Sequence, residues 1–144
     1  MSKVMGYILG CIAGLAVGGV AQAQTVQVTV HNPNNRSVTL LGLSEVGASS
    51  HATGSIDAHG SGQVSSRPDN TYGSMLIFEY GTTEQACRSW VFFSKDENGN
   101  IKKDRQPYTL PSNGMPGHIP ICTGGTMTEV GPDQLVWSVT IQLQ

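Results

Sequence analysis

Near the C-terminal end, Leu135, Trp137, Val139, Ile141 and Leu143 alternate with Val136, Ser138, Thr140 and Gln142, and after Gln24 the residues Val26, Val28 and Val30 alternate with Gln27, Thr29 and His31. Successive side chains of a strand leave opposite faces, so this period of two predicts strands with one buried face at both ends of the domain. Asn32-Pro33-Asn34-Asn35 is a turn cluster and Ser37 to Leu43 reads as a strand, so residues 25 to 44 are expected to form a hairpin. The run Met75-Leu76-Ile77-Phe78 is too short for a helix and predicts a central strand over about 73–80, buried on both faces. Ser89 to Phe93 predicts another, with Trp90, Phe92 and Trp137 assigned to the core, while Tyr72, Tyr80 and Tyr108 flank turns and could form a recognition surface, a structural role being the simpler reading of each.

Ser44 to Ser66 is rich in Gly and Ser and predicts loop with short strands; Thr123 to Pro132 is again Gly-rich. No stretch after residue 23 places apolar residues at helical spacing over three turns. The pattern therefore predicts an all-β fold, an antiparallel β-sandwich of about eight or nine short strands in one domain. A membrane barrel would need about eight strands of ~10 residues with apolar outward faces, and the middle strands here are too short.

Met1-Ser2-Lys3 is a short cationic start, Val4 to Val20 is uncharged, and Ala21-Gln22-Ala23 supplies small residues at a cleavage site. This predicts a secretory signal peptide over 1–23, a β-sandwich domain over 24–144, and a secreted or periplasmic location. A retained membrane span is the weaker reading, because ~20 apolar residues are needed to cross a bilayer. Ile8-Leu9-Gly10-Cys11 also fits a bacterial lipoprotein box, although few apolar residues precede Cys11 and the uncharged run continues well beyond it.

Removing Lys3 with the leader leaves seven of the 8 Lys+Arg against 10 Asp+Glu, a net of −3, and the basic residues are scattered apart from Lys102-Lys103 and Arg105. Nucleic acid is therefore not an expected partner. Of the 3 cysteines, Cys87 and Cys122 remain, and in an oxidising compartment they most simply pair. On the chain-entropy model such a bridge stabilises the fold by ~3 to 4 kcal/mol.

Ser94 to Arg105, SKDENGNIKKDR, has the oxygen-rich look of a calcium loop. With Gly99 at the sixth position of an EF-hand loop, Arg105 would stand at the twelfth, where a bidentate Glu is required. Asn98-Gly99 instead predicts a tight hairpin turn, of the type with positive φ at both central residues. For zinc or copper, His51, Asp57 and His59 are the only candidate ligands close in sequence, with Asp57 and His59 on one side of a strand, yet their Gly/Ser-rich setting reads as ordinary surface loop. There is no Gly-x-Ser-x-Gly elbow, and paired cysteines leave no thiolate nucleophile. No spacing singles out a carboxylate pair, so neither an enzyme nor a cofactor is expected.

Val28-x-Val30-x-Asn32, Val38-x-Leu40, Ile56-x-x-x-Gly60-Ser61-Gly62-x-Val64-x-Ser66 and Gly73 leading into Leu76-x-Phe78-x-Tyr80 resemble the first half of aegerolysin-like β-sandwich proteins; Phe92-Phe93, Gly99-Asn100 and the last amphipathic strand are compatible with the second half. The resemblance implies a non-enzymatic protein that binds membrane lipids, some relatives acting with a second protein in making pores. This chain differs in its leader and its cysteine pair, and no lipid-contacting aromatic cluster carries over.

Pro107 to Pro120 holds four prolines and leads into Cys122. Loops fixed on a rigid sheet are where binding residues usually sit. The expected binding surface is therefore built from loops 44–55, 67–74 and 107–120, with Tyr72, Tyr108, Leu110, Met115 and His118 as its candidate contacts and a protein, a lipid or a glycan as ligand. The alternative is a periplasmic inhibitor or immunity-type protein with residues 111–118 as its wedge. Intact mass should rise by two hydrogens on reduction if Cys87 and Cys122 are bridged, and an unchanged mass would refute the pairing.

Overall fold

The computed structural model describes residues 24–69 and 72–144; the leader, including Cys11 and the Ala23 cleavage site, lies outside them. These residues form twelve strands and no helix: β1 (Thr25–His31), β2 (Val38–Val46), β3 (Ala48–Ala52), β4 (Ser55–Ile56), β5 (Ser61–Pro68), β6 (Ser74–Gly81), β7 (Ala86–Lys95), β8 (Ile101–Lys103), β9 (Tyr108–Asn113), β10 (Ile121–Gly124), β11 (Thr128–Val130) and β12 (Gln134–Gln142). The first sheet runs β10-β12-β1-β5-β3 with β11 also on β12, and the second runs β4-β2-β6-β7-β8 with β9 also on β7. The β-sandwich is thus confirmed. Its strand count exceeds the expected eight or nine because short segments such as β4, β8 and β11 are too brief to show alternation. Every pairing is antiparallel except that of β1 with β12, which run parallel with Val28 beside Trp137.

The alternating positions supply the core. Val26, Val28, Val30, Val64, Leu135, Trp137, Val139 and Ile141 of the first sheet face Leu76, Phe78, Tyr80, Val91 and Phe93 of the second, all essentially inaccessible to water. Full burial of an aliphatic or Phe side chain contributes about 1.5–3 kcal/mol, so this layer is the main source of stability. Phe78 meets Trp137 edge-on at 6.4 Å between ring centroids and Tyr80 at 6.2 Å. Both polar tips are satisfied: Trp137 Nε1 donates to the Gly125 carbonyl at 2.6 Å and the Tyr80 hydroxyl to the Thr53 carbonyl at 2.5 Å. Gly124 is required beside the indole, since a Cβ there would lie 2.6 Å from Trp137 Cζ2.

Tyr80 thus takes the structural role of the two open to it, and burial pushes its hydroxyl pKa up to about 12. Trp90 and Phe92 are corrected in the opposite direction. Val91 and Phe93 take the inward phase of β7, so the neighbours Trp90 and Phe92 are left half-buried on the outer face. The same holds on β6, where Leu76 and Phe78 are buried while Met75 and Ile77 are only half covered, so the strand is not buried on both faces.

Residues 25–44 do not form the expected hairpin, because β1 belongs to the first sheet and β2 to the second. The Asn-Pro-Asn-Asn cluster is a corner between layers. Asn32 is buried, its Nδ2 lies 2.9, 3.1 and 2.9 Å from the carbonyls of Arg36, Ile56 and Asp57, and its Oδ1 accepts from the Asn34 amide at 3.1 Å. Asn34 then reaches β12, donating to the Ile141 carbonyl at 2.8 Å and accepting from the Leu143 amide at 2.8 Å. At the same end of the sandwich, where Cys122 lies opposite Ile141 of β12, Cys87 of β7 and Cys122 of β10 form a disulfide with a Cα–Cα distance of 5.7 Å, joining the two sheets covalently.

The Asn32 corner generates a stability prediction. Asn32→Ala should lower the free energy of unfolding by about 2–3 kcal/mol, because it removes several buried bonds and strands their carbonyl partners without donors. Urea denaturation checks this, and a loss under about 0.5 kcal/mol would show that the corner holds without its side chain.

Candidate binding surface

The two outer faces of the sandwich differ sharply. On the first sheet the outward positions are mainly hydroxyl, amide and imidazole groups that satisfy one another, with Gln63 Nε2 donating to Thr29 Oγ1 at 3.0 Å, His31 Nδ1 lying 2.9 Å from Ser61 Oγ and Gln134 Nε2 donating to Gln27 Oε1 at 2.7 Å. Such a face is well solvated. On the second sheet, residues directly opposite one another share a face, and the register lines up Ile77, Trp90 and Tyr108 across β6, β7 and β9, with Val46, Met75 and Phe92 in the next row across β2, β6 and β7. This face is apolar and aromatic.

Its rings are ordered by contact. Trp90 and Tyr108 stack at 4.9 Å between centroids with 15° between planes, Phe92 lies 6.4 Å from Tyr108 at 24°, and the Arg105 guanidinium sits 4.5 Å over the Phe92 ring. Stacked and cation-π contacts each contribute on the order of 0.5–1.5 kcal/mol, which is enough to hold the rings in one arrangement. Beside the rings, the cross-strand pair Arg88 and Glu79 meets at 2.6 Å, and Ser94 Oγ donates to Asp104 at 2.6 Å. The result is an apolar centre with charged ends. Tyr108 is 43% exposed, Leu110 53% and Val46 58%.

Of the residues expected to bind, Tyr108 and Leu110 belong to this face, on a strand rather than a loop: β9 occupies the first half of the proline-rich segment. Tyr72, 95% exposed, stands at the end of the sandwich where β6 begins. Most of the expected loop 44–55 is strand, belonging to β2, β3 and β4, but its turn at Gly47 does meet the 67–74 segment: the Gly47 carbonyl accepts from the Asp69 amide at 2.9 Å and from Ser74 Oγ at 2.7 Å. Met115 and His118 form a tight turn, with the His118 amide donating to the Met115 carbonyl at 2.8 Å, and line a cavity of about 260 Å³ with Arg36, Glu84, Gln85 and Gln144. That cavity is at the opposite end, beside the β6–β7 connection and about 25 Å away along an eight-residue strand. The five candidates are thus spread over two ends and one face.

Trp90 and Phe92 are the surface residues that sequence reading assigned elsewhere. The available signal was the unbroken run Trp90-Val91-Phe92-Phe93, in which a strand cannot bury both phases unless a third layer covers it.

The candidate metal ligands stay apart. His51 lies on β3 opposite Ser65, whereas Asp57 and His59 follow β4 in a tight turn closed by the Gly60 amide and the Asp57 carbonyl at 3.0 Å, not on a strand. Among the described residues no three His, Cys, Asp or Glu side chains converge. The Asp96 loop joins β7 to β8 as expected of a turn, with the Asp96 amide donating to Asn100 at 2.8 Å and the Gly99 amide to Asp96 at 2.9 Å. Gly99 has φ +81° and His59 is the one non-glycine with positive φ among the described residues, so Asn98 does not adopt the conformation of a type I′ turn. The loop is instead a type I turn closed by a left-handed glycine. Asp96 Oδ1 accepts the amides of Asn98 at 2.9 Å and Asn100 at 2.8 Å, turning the carboxylate toward its own loop.

Compared with known proteins, the chain matches no family model and no curated protein.

The Asp96 carboxyl is held below its ordinary value first by the Asn100 amide, with help from Asn98 and Lys102 and against some desolvation. A depressed folded-state pKa gives stability that is present above the unfolded value and lost as pH falls through the folded one. Asp96→Ala should therefore lower the urea midpoint at pH 7, and the gap from the unsubstituted protein should close as the medium is acidified below about pH 4. A gap independent of pH would assign the effect to packing.

Proposed function

We propose that this chain is a non-enzymatic binding protein of the cell exterior or periplasm, and that it docks a protein partner on the outer face of its second sheet. The disulfide joining the two sheets is consistent with an oxidising compartment. The observation that carries the reading is the ordered cluster of Trp90, Tyr108, Phe92 and Arg105 at the surface of one sheet, while the outer face of the other is mainly polar, with Val136 among its Thr, Gln and Ser side chains. Trp, Tyr, Phe, Met and Arg inside a polar rim is the composition of protein interfaces and of their energetic centres.

The ring geometry distinguishes a protein partner from the other two ligand classes. A sugar binds by stacking on an open ring face, whereas Trp90 and Tyr108 each give a face to the other and Phe92 gives one to Arg105. A lipid surface favours protruding apolar side chains and cationic charge, and here Trp90, Phe92, Met75 and Ile77 are half-buried in a sheet while the domain carries a net of −3 by the count above. The aegerolysin-like expectation of lipid binding therefore ranks second. The inhibitor reading draws on a separate feature, the proline-rich turn, where Met115 is 61% exposed.

Affinity capture from the envelope and medium of the producing cell tests these readings together. A protein partner should be captured by the unsubstituted chain and its affinity should fall by roughly thirty-fold or more in Trp90→Ala or Tyr108→Ala, the ordinary effect of truncating a central aromatic anchor. Circular dichroism should be unchanged in Tyr108→Ala. Capture retained in both variants but lost when residues 114–118 are replaced by a Gly/Ser linker would move the site to the turn. Co-sedimentation with liposomes of the unsubstituted chain, with loss in the same two variants, would replace the protein partner by a lipid surface.

A further inference from the structure

A sheet edge carries a row of backbone amides and carbonyls that must be hidden, blunted or paired. Most edges of this sandwich are blunted: β8 is three residues long with Lys102 and Lys103, β11 is three residues, β10 is four, β9 contains Pro111, and β3 is the short hydrophilic run Ala48–Ala52. The second half of β2 is the longest stretch left open: a bulge interrupts it at Leu41, and Gly42 to Val46 then run in regular register with β6. On the side away from β6, β4 pairs with Val38 and Thr39 and the Gly54 carbonyl accepts the Leu40 amide, after which no strand among the described residues flanks positions 41–46. All six of these residues are exposed, Leu41, Leu43 and Val46 among them, and the only charge is Glu45.

We infer that this edge pairs with the same edge of a second copy, so that β2 meets β2 antiparallel and the second sheet continues from one subunit into the other. An unpaired strand edge is complementary to another strand, and an antiparallel pairing of identical edges closes on a twofold axis without leaving a growing end. The charge pattern selects the register. With Leu43 on the axis, Leu43 faces its counterpart, Gly42 faces Ser44 and Glu45 comes beside the bulged Leu41 of the other copy, so no like charges oppose one another. Centring the pair on Glu45 would set two carboxylates side by side. Because a register centred on a residue preserves the inward and outward phases, the two aromatic outer faces then lie on the same side of the joined sheet. A partner with two copies of its own site would meet a bivalent surface. The pairing is independent of the aromatic face, and its failure would leave the proposed function standing.

A strand pair of five residues a side, Leu41 to Glu45, is a small interface, so the association should depend on concentration. Sedimentation velocity of the full chain, purified after export, should show a dimer at concentrations on the order of 100 µM that dissociates on dilution. Leu43→Lys, which puts two ammonium groups on the axis, should give a monomer with unchanged circular dichroism, whereas Tyr108→Ala should leave the dimer intact. Directly opposed Cβ atoms lie about 4.5–5.5 Å apart, so Leu43→Cys should form a covalent dimer under mild oxidation while Gln63→Cys, on the other sheet, should not. If Leu43→Lys fails to fold, the cross-link decides. A monomer throughout the concentration range, or a dimer that survives Leu43→Lys and gives no cross-link in Leu43→Cys, would overturn the pairing.

Discussion

A strand has two faces, and on β6 and β7 only one of them can point at Trp137. That single choice of phase organises the molecule. Leu76, Phe78, Tyr80, Val91 and Phe93 take the inward positions and bury against Trp137 and the valines of β1. Their neighbours Met75, Ile77, Trp90 and Phe92 are thereby sent outward, although they are as apolar as the residues that went in. Burying the larger set of side chains between two sheets wins because each sheet can be covered once in a two-layer fold.

What remains outside must lower its exposure by other means. Tyr108 stacks on Trp90, and Arg105 covers one face of Phe92, so the outward rings shield one another where a third layer would otherwise be needed. Exposed apolar area that is ordered and bordered by charge, here the Arg88–Glu79 pair, is the usual mark of an interaction site rather than of disorder in packing. The polar outer face of the first sheet, with its Thr, Gln and Ser ladder, shows that the asymmetry is not a general property of this composition.

The two layers are tied together by three neighbouring links at one end of the sandwich. The Asn32–Asn34 corner ties the end of β1 to the carbonyl of Asp57 and to β12, the Cys87–Cys122 bridge ties β7 to β10, and Tyr80 reaches the Thr53 carbonyl between β3 and β4. None of the described buried side-chain polar atoms lacks a partner. Satisfied polar groups at such points discriminate against sliding of one sheet over the other, since a shift would strand buried donors that cost about 1–3 kcal/mol each.

The all-β class, the alternating strands at both ends, the cysteine pair and the Asp96–Gly99 turn were all legible in the sequence, because each rests on local chemistry: a period of two, two cysteines outside the apolar N-terminal stretch, a glycine where φ must be positive. Local pattern could not say that Asn32-Pro33-Asn34-Asn35 is a corner, since a turn cluster looks alike whether the chain returns within a sheet or crosses to the other. Nor could it divide Trp90-Val91-Phe92-Phe93 between core and surface or place Tyr108 beside Trp90. Those outcomes depend on which phase faces the opposite layer and on which strands become neighbours, and only the packing of two whole sheets, through contacts between residues distant in sequence, decides them.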